Sequence, residues 1–427
     1  MFERPKSGER AVLVHLNLNP ATGDALLAEF TELVRAAGAE VLETISGNRR
    51  IPEARYFIGE GKAAEVAERV KALGADLVLV NHALSPSQER NLEKLLSCRV
   101  LDRTGLILDI FAQRARTFEG KLQVELAQHR HIATRLVRGW THLERQRGGS
   151  IGLRGPGETQ LEIDRRLVDK RIQQLEKRLD RVGDQREQGR RTRQRHAVPT
   201  VSVVGYTNAG KSTLFNSLTG AGVFVADQLF ATLDATLRRL DLGDANHAVL
   251  ADTVGFVREL PHDLVAAFRS TLQETNEAAL LLHVVDAGDP ERDAYIETVN
   301  SVLREIGAEN VPQIEVFNKI DLTGQPAAAE RGPDGEVRRL WLSARTGEGL
   351  DLLRAAISSR LRGDTVRGWL KLGPLQARAR AAFFDLGAVR NEKDEGDGGF
   401  LLEVELPRRE YQRLCRREGL EPSALSA

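Results

Sequence analysis

The stretch Thr200–Val204 (TVSVV), followed by Gly205-Tyr206-Thr207-Asn208-Ala209-Gly210-Lys211-Ser212, decides the fold of this chain. The first five residues are rich in β-branched side chains, and a helical pattern begins at Thr213. A glycine-rich loop that ends in Gly-Lys-Ser between a strand and a helix is typical of a Walker A phosphate loop. The backbone N–H groups of such a loop and the positive end of the helix dipole surround phosphate oxygens. We predict that Lys211 reaches the β and γ phosphates and that the Ser212 hydroxyl ligates Mg²⁺.

A second motif, Asp252-Thr253-Val254-Gly255, follows the apolar run 248–251 about 40 residues after the Walker A loop. An Asp at the end of a strand can hold the Mg²⁺ coordination shell, and the Gly255 N–H can contact the γ-phosphate. Short matches of this kind are often plain turns. The order of the two motifs favours a nucleotide site.

Two further motifs predict a guanine pocket: Asn318-Lys319-Ile320-Asp321 and Ser343-Ala344-Arg345. The Asp321 carboxylate can accept hydrogen bonds from guanine N1–H and the 2-amino group, and the Ala344 N–H can donate to guanine O6. Adenine would leave that carboxylate unpaired, which disfavours the wrong base by on the order of 10³-fold.

A switch segment is expected between these motifs, within Phe230-Ala231-Thr232-Leu233-Asp234. Such a segment needs a Thr whose hydroxyl ligates Mg²⁺ and whose N–H meets the γ-phosphate. Thr232 is the preferred candidate, and Thr236 and Thr253 are the alternatives. We therefore expect Lys211, Thr232 and Gly255 to act in catalysis, with Ser212 and Thr232 as metal ligands.

The chain has 427 residues, of which 41% are hydrophobic and 29% charged, as in globular proteins. This length predicts about three or four domains. No apolar stretch is long enough to span a membrane, and no signal-peptide core follows the charged N-terminus. Cys98 and Cys415 cannot form a disulfide framework, so we expect a cytoplasmic protein.

The net charge is zero, but the basic residues are segregated. Residues 113–196 contain 21 Lys and Arg against 11 Asp and Glu, and 18 of the 21 are Arg. Arg pairs with phosphate and stacks on bases, so this segment favours RNA binding.

The order of strand-like and helix-like runs predicts an α/β protein with separate domains. Residues 1–110 are expected to form a parallel α/β domain, and 111–182 a long helical hairpin with a glycine-rich tip at 148–157. Residues 183–199 are expected to be a basic linker, 200–362 a Ras-like P-loop GTPase domain, and 363–427 a small α+β domain. Apolar residues at heptad-like spacing predict the seam of the hairpin: Leu161, Val168, Ile172, Leu175, Leu179 and Val182, facing a stripe that begins at Leu122 and Leu126.

With these residues in hand, the chain closely resembles the HflX family of ribosome-associated GTPases over nearly its whole length. The resemblance rests on segments inside and outside the GTPase module: 230–234, Asp252–Phe256, Leu260–Leu264, Gly59–Lys62 and Arg154–Gln160. It implies GTP hydrolysis with Mg²⁺, binding of GTP and GDP, and association with the large ribosomal subunit in ribosome rescue, splitting or biogenesis. The family is also linked to ATP, although the sequence offers no second Walker A loop. We expect a monomer without integral membrane insertion.

Two residues bear on the mechanism. Phe256 stands where many Ras-like GTPases have the Gln that orients the attacking water, so we expect slow turnover until a partner completes the site. The alternative is that another local group positions the water. Asn208 could ligate K⁺ near the transferred phosphate, or could simply tolerate the turn.

Other functional classes remain open at this stage. The chain could be a tRNA-modification or signalling GTPase with a different RNA or protein partner, or a binding module in which the nucleotide is structural. A stiff basic stalk with a flexible tip favours insertion into an RNA cavity, and the family resemblance implies that this cavity is near the peptidyl-transferase region. The complete set of hydrolysis motifs disfavours the third class.

Overall fold

The computed structural model describes residues 8–18, 23–137, 156–195, 198–220, 230, 236–243, 246–258, 274–362, 365–394, 399–421 and 425–426. The predicted switch residues Ala231, Thr232, Leu233 and Asp234 lie outside this set, as do residues 148–155 of the predicted tip. Among the described residues, no helix combines the length and the hydropathy needed to cross a membrane.

The N-terminal domain is the predicted parallel α/β unit. Its sheet has the strand order β2-β1-β3-β4, and all neighbours are parallel. The strands are β1 (Arg10–Asn17), β2 (Glu40–Asn48), β3 (Leu77–Val80) and β4 (Arg99–Asp102). The helices are α1 (Gly23–Ala36), α2 (Glu60–Leu73), α3 (Pro86–Leu96) and α4 (Arg103–Arg114).

Local capping fixes where two of these helices begin. The Ser85 side chain accepts from the Gln88 N–H while the Gln88 side chain binds the Ser85 N–H, with Pro86 as the first residue of α3. The Asp102 carboxylate accepts from the Gly105 N–H at 2.8 Å and caps α4. Because α4 continues to Arg114, the predicted domain boundary at residue 110 falls inside a helix.

The hairpin consists of α5 (Phe118–Val137) and α6 (Pro156–Arg195). Leu122, Leu126 and Leu175 are buried together at its seam, with Ile172 and Leu179 packed against them. Ion pairs cross the same seam, from Arg130 to Glu176 at 2.8 Å and from Arg171 to Glu125 at 2.5 Å. The predicted antiparallel pairing of apolar stripes is confirmed at these positions.

The prediction of a basic linker over 183–199 is wrong, because α6 continues to Arg195. Most of the segment is polar, which is typical of a loop. Arg, Gln and Glu are good helix formers, however, and single glycines such as Gly183 and Gly189 weaken a helix without ending it. Within the described residues, α6 therefore spans 40 residues and α5 spans 20.

The predicted P-loop domain contains a seven-stranded sheet with the order β10-β11-β9-β8-β5-β7-β6. Only the edge strands β6 and β10 are antiparallel to their neighbours. The strands are β5 (Thr200–Gly205), β6 (Thr236–Gly243), β7 (Asn246–Asp252), β8 (Leu280–Asp286), β9 (Gln313–Asn318), β10 (Ala328–Arg331) and β11 (Val337–Trp341). The described helices are α7 (Lys211–Thr219), α8 (Arg292–Glu305), the single turn α9 (Ile320–Thr323) and α10 (Leu350–Arg362).

The C-terminal domain is the predicted small α+β unit. Strands β12 (Thr365–Leu372), β13 (Val389–Asp394), β14 (Phe400–Pro407) and β15 (Leu425–Ser426) pair antiparallel in the order β13-β14-β12-β15. Helices α11 (Ala377–Asp385) and α12 (Arg408–Glu418) accompany this sheet, and Phe383 and Tyr411 are buried between them and the strands.

One apolar core joins the N-terminal domain to the P-loop domain. It includes Phe30 and Phe111 from the first and Phe230, Phe256 and Leu281 from the second. The N-terminal domain therefore packs directly beside the segments that surround the phosphate loop.

Candidate phosphate and guanine site

The phosphate loop has a backbone that only particular residues can adopt. Gly205 has φ +150° and Gly210 has φ +92°. A Cβ at Gly205 would lie 2.3 Å from the Val284 carbonyl oxygen, and one at Gly210 would lie 2.2 Å from Asn318 Nδ2. Asn208 is left-handed at φ +59°, a conformation that Asn adopts more readily than most residues. Both glycines are thus required by the packing around the loop.

Lys211 is buried at the start of α7, and its Nζ donates to the Tyr206 carbonyl oxygen at 2.6 Å. This contact folds the ammonium group back over the loop. Burial lowers the pKa of Lys211 to about 8, while the nearby Asp252 carboxylate opposes that shift. A nucleotide phosphate would supply the negative charge that this buried ammonium lacks.

The predicted magnesium ligand Ser212 lies beside the strand-end carboxylate, because Ser212 Oγ donates to Asp252 Oδ2 at 3.1 Å. Hydroxyl and carboxylate oxygens are the donors that Mg²⁺ prefers. The two residues present therefore fit the ion. Thr232, the other predicted ligand, lies outside the described residues.

The Asp252–Gly255 motif closes against the phosphate loop. Thr207 N donates to the Phe256 carbonyl oxygen at 2.8 Å, and Phe256 N donates to the Gly205 carbonyl oxygen at 3.2 Å. A Cβ at Gly255 would lie 2.8 Å from Thr207 Cγ2 and 3.1 Å from Lys211 Nζ. Gly255 is thus placed next to Lys211, where its N–H was expected to meet the terminal phosphate.

Two residues of this segment, Thr253 and Phe256, are buried and held by contacts within the protein. Thr253 Oγ1 donates to the Val203 carbonyl oxygen at 2.6 Å, which argues against Thr253 as the switch threonine. The Phe256 ring is 1% exposed and belongs to the core shared with the N-terminal domain. The other alternative to Thr232, Thr236, is the first residue of β6.

The two predicted base-binding motifs meet through Asn318. Its Nδ2 donates to the Ala209 carbonyl oxygen at 2.9 Å, and its Oδ1 accepts from the Ala344 N–H at 2.9 Å. Asp321 Oδ1 accepts from Ser343 Oγ at 2.6 Å. Lys319, left-handed at φ +68°, pairs with Asp286 at 2.8 Å. Arg345 is exposed at the edge of the loop.

Several residues at the site escaped the sequence analysis. The Tyr206 hydroxyl donates to Glu29 of α1, and the ring stacks on Tyr295 at 4.0 Å. His283 of β8 is 1% exposed, and burial together with the Lys211 charge lowers its pKa to about 4. Glu29 could have been identified from the sequence as a charged residue within the apolar stripe of α1.

Comparison with known proteins agrees with this geometry. Residues 24–112 match the family described as GTP-binding GTPase N-terminal, 114–193 its Middle Region, 200–319 the 50S ribosome-binding GTPase family, and 334–426 the HflX C-terminal domain. GTPase HflX of Escherichia coli (strain K12) is 58% identical over 419 residues, covering 98% of each chain. The chain belongs to the HflX family of GTPases.

A second curated relative and a solved structure are also similar to this chain. GTPase HflX of Magnetococcus marinus is 47% identical over 433 residues, covering 99% of this chain and 98% of the relative. Among solved structures, a GTP-binding protein from Sulfolobus solfataricus in complex with GDP is 24% identical with a TM-score of 0.44, covering 83% of this chain and 98% of that chain. The HflX assignment makes this chain a GTP-binding enzyme that hydrolyses GTP.

Proposed function

We propose that this HflX GTPase binds GTP with Mg²⁺ and associates with the large ribosomal subunit, where it acts in ribosome rescue, splitting or biogenesis. Ser212 and Asp252 would hold the metal, whose charge would offset that of the phosphates. Asn318, Asp321 and Ala344 would read guanine. The protein is proposed to work as a monomer in the cytoplasm.

The observation that carries the ribosomal part is that one chain combines a candidate nucleotide site with a basic hairpin. Exposed arginines occur along the described part of α6, including Arg166, Arg178 and Arg181. Basic residues exceed acidic residues by ten over 113–196. Arginine-rich surfaces bind RNA phosphates and unpaired bases. The description of the family matched at 200–319 supports the same partner.

Catalysis is proposed to depend on that partner. The Phe256 ring is buried in the core and cannot bind the attacking water. A group that completes the site from outside can accelerate hydrolysis by roughly 10³–10⁵-fold in related systems. Slow hydrolysis by the free chain and faster hydrolysis on the ribosome follow from this arrangement.

Two smaller proposals concern other ligands. The Asn208 side chain, held in a left-handed turn of the phosphate loop, supports K⁺ as a second ion. ATP is proposed as a ligand outside the phosphate loop, because the guanine-reading residues would reject adenine there. K⁺ is tested by measuring hydrolysis in Na⁺ against K⁺. The separate ATP site is tested by measuring binding of labelled ATP while saturating GDP fills the phosphate loop.

The experiment that tests the function is co-sedimentation with purified ribosomal subunits in the presence of a GTP analogue, GDP or no nucleotide. We expect binding to large subunits that is strongest with the GTP analogue and that weakens as salt rises. Binding to small subunits alone, or binding to a protein or tRNA in preference to large subunits, would contradict the proposal.

A further inference from the structure

Helix α4 contacts both segments that flank the phosphate site. Arg103, its first residue, donates from Nη2 to the Arg258 carbonyl oxygen at 3.1 Å, three residues beyond Gly255. Two turns further along α4, the Phe111 ring meets Phe230 edge-to-face, with centroids 4.6 Å apart and planes at 86°. Phe230 precedes the predicted switch residue Thr232 by two positions. One helix of the N-terminal domain thus touches both regions that a γ-phosphate would order.

The contact at Arg258 is part of a larger polar network. The Arg258 N–H donates to the Tyr206 hydroxyl at 2.9 Å, and that hydroxyl donates to Glu29. Arg103 also donates to Glu29 and, at 2.9 Å, to Asn81 Oδ1 at the end of β3. Both backbone groups of residue 258 are therefore bound, one through the phosphate-loop tyrosine and one directly by α4.

This network is buried, which makes it stiff. Arg103 is 2% exposed, Tyr206 7% and Glu29 8%. Removing one partner from a buried ion pair leaves the other charge without compensation, which is strongly unfavourable. Movement of Arg258 therefore requires α1 and α4 to follow, or the network to break.

Helix α4 is also connected to α5, the first helix of the hairpin. Only three residues separate Arg114, the end of α4, from Phe118, the start of α5. At the other end of α5, Arg135 pairs with Asp102 at 2.9 Å and with Glu89 at 2.7 Å. Because Asp102 also caps α4, the first arm of the hairpin is tied to α4 near both of its ends.

We propose that α4 transmits the state of the nucleotide to the hairpin, with Arg103 and Phe111 as the positioning residues through their contacts with Arg258 and Phe230. The inference rests on the GTPase site and deepens the proposed function by naming its internal regulation. It does not depend on which RNA or protein the hairpin binds. Neither residue touches the nucleotide, so each acts through Arg258 or Phe230.

The test is hydrogen exchange of the full-length protein with GDP and with a GTP analogue. Arg103→Lys keeps the charge but cannot reach Glu29, Asn81 and the Arg258 carbonyl together, and Phe111→Leu removes the ring contact. The matched controls are Arg99→Lys, which alters an ion pair within the N-terminal domain, and Phe30→Leu, which removes an aromatic ring from the same core. Thermal melting verifies that each variant is folded.

In the parent and in both controls, we expect the exchange rates of amides in α4 and α5 to differ by at least about threefold between the GDP and GTP-analogue states. Such a difference reports a change in the local opening equilibrium of these helices. Arg103→Lys and Phe111→Leu should lose this difference, with KM for GTP nearly unchanged and kcat altered. If either variant keeps the parent's difference, or if the parent shows none, the proposal is wrong. Failure of ribosome co-sedimentation would leave this result intact, whereas loss of GTP-analogue binding by the parent would overturn both proposals.

Discussion

Asn318 holds the phosphate loop through Ala209, whose carbonyl oxygen accepts from Asn318 Nδ2 at 2.9 Å. The same side chain accepts from the Ala344 N–H, so a single amide joins the loops that are expected to bind phosphate and guanine. The side chain is 2% exposed, and Gly210 is required beside it because a Cβ there would lie 2.2 Å from its nitrogen. The structure thus links recognition of the base to the shape of the phosphate loop.

The substitution Asn318→Ala should weaken binding of GDP and GTP together. It leaves a buried carbonyl and a buried N–H without their partner, at about 1–3 kcal/mol each. We expect about 10- to 100-fold weaker binding, measured with a fluorescent guanine nucleotide. The matched control is Asn391→Ala, at an exposed position of the C-terminal sheet, which should bind like the parent. Unchanged affinity in Asn318→Ala would show that the two loops are positioned independently.

The substitution Asp321→Asn should shift preference from guanine to xanthine nucleotides. The amide supplies a donor where the carboxylate accepted from the guanine 2-amino group. Its remaining oxygen can still accept from Ser343 Oγ, which lies 2.6 Å from Asp321 Oδ1, so the loop should keep its shape. Competition of GTP, XTP and ATP against labelled GDP gives the readout. A parent that binds ATP and GTP equally well at this site would refute the assignment.

Affinity for GTP should fall as the pH rises above about 8. Burial lowers the pKa of Lys211 to about 8, so the free protein loses this ammonium charge above that value, whereas bound phosphates favour the charged form. Binding then takes up a proton, and affinity decreases by up to about tenfold per pH unit.

The lowered pKa of Lys211 also predicts that the free energy of unfolding of the nucleotide-free protein depends on pH. Between about pH 8 and the ordinary lysine pKa of 10.5, the unfolded chain holds more of this proton than the native chain, so the contribution of Lys211 to the free energy of unfolding rises with pH.

The binding prediction is tested by calorimetry in two buffers of different ionisation enthalpy, which measures the proton uptake when GTP binds. A GTP affinity that stays constant from pH 7.5 to 9 would be inconsistent with the buried ammonium.

The substitution Ser212→Ala should raise the Mg²⁺ concentration needed for hydrolysis, with ribosomal subunits present as well as without them. Ser212 Oγ lies 3.1 Å from Asp252 Oδ2, and removing it takes away one oxygen of the proposed metal site. Thr232→Ala should act in the same direction. Thr219→Ala is a suitable control, since Thr219 lies on the same helix and its Oγ1 donates to the Phe215 carbonyl oxygen at 2.7 Å. A magnesium titration curve identical to that of the parent would remove Ser212 from the site.

Local sequence was enough to predict the strand–loop–helix form of the phosphate loop and the order of the four domains, because each depends on residues close together in the chain. The assignment of guanine to the base motifs stays a prediction. Gly205, Gly210 and Lys211 follow from a motif whose backbone shape is fixed by its own glycines. The helical nature of 183–195 was missed because a polar surface helix has no apolar stripe to reveal it. The contacts of Glu29 with Tyr206 and of Phe111 with Phe230 join residues more than 100 positions apart, and no local pattern encodes such pairing.

The most direct test of the account is the rate of GTP hydrolysis by the full chain with and without saturating large ribosomal subunits, compared with a variant in which 148–157 is replaced by a short neutral linker. We predict slow hydrolysis by the free parent and strong acceleration by large subunits, within the roughly 10³–10⁵-fold range that an external group can supply. The variant should bind GTP like the parent, since its nucleotide motifs are intact, but should lose the acceleration. Unchanged turnover of the parent on addition of large subunits, or full acceleration of the variant, would contradict the account.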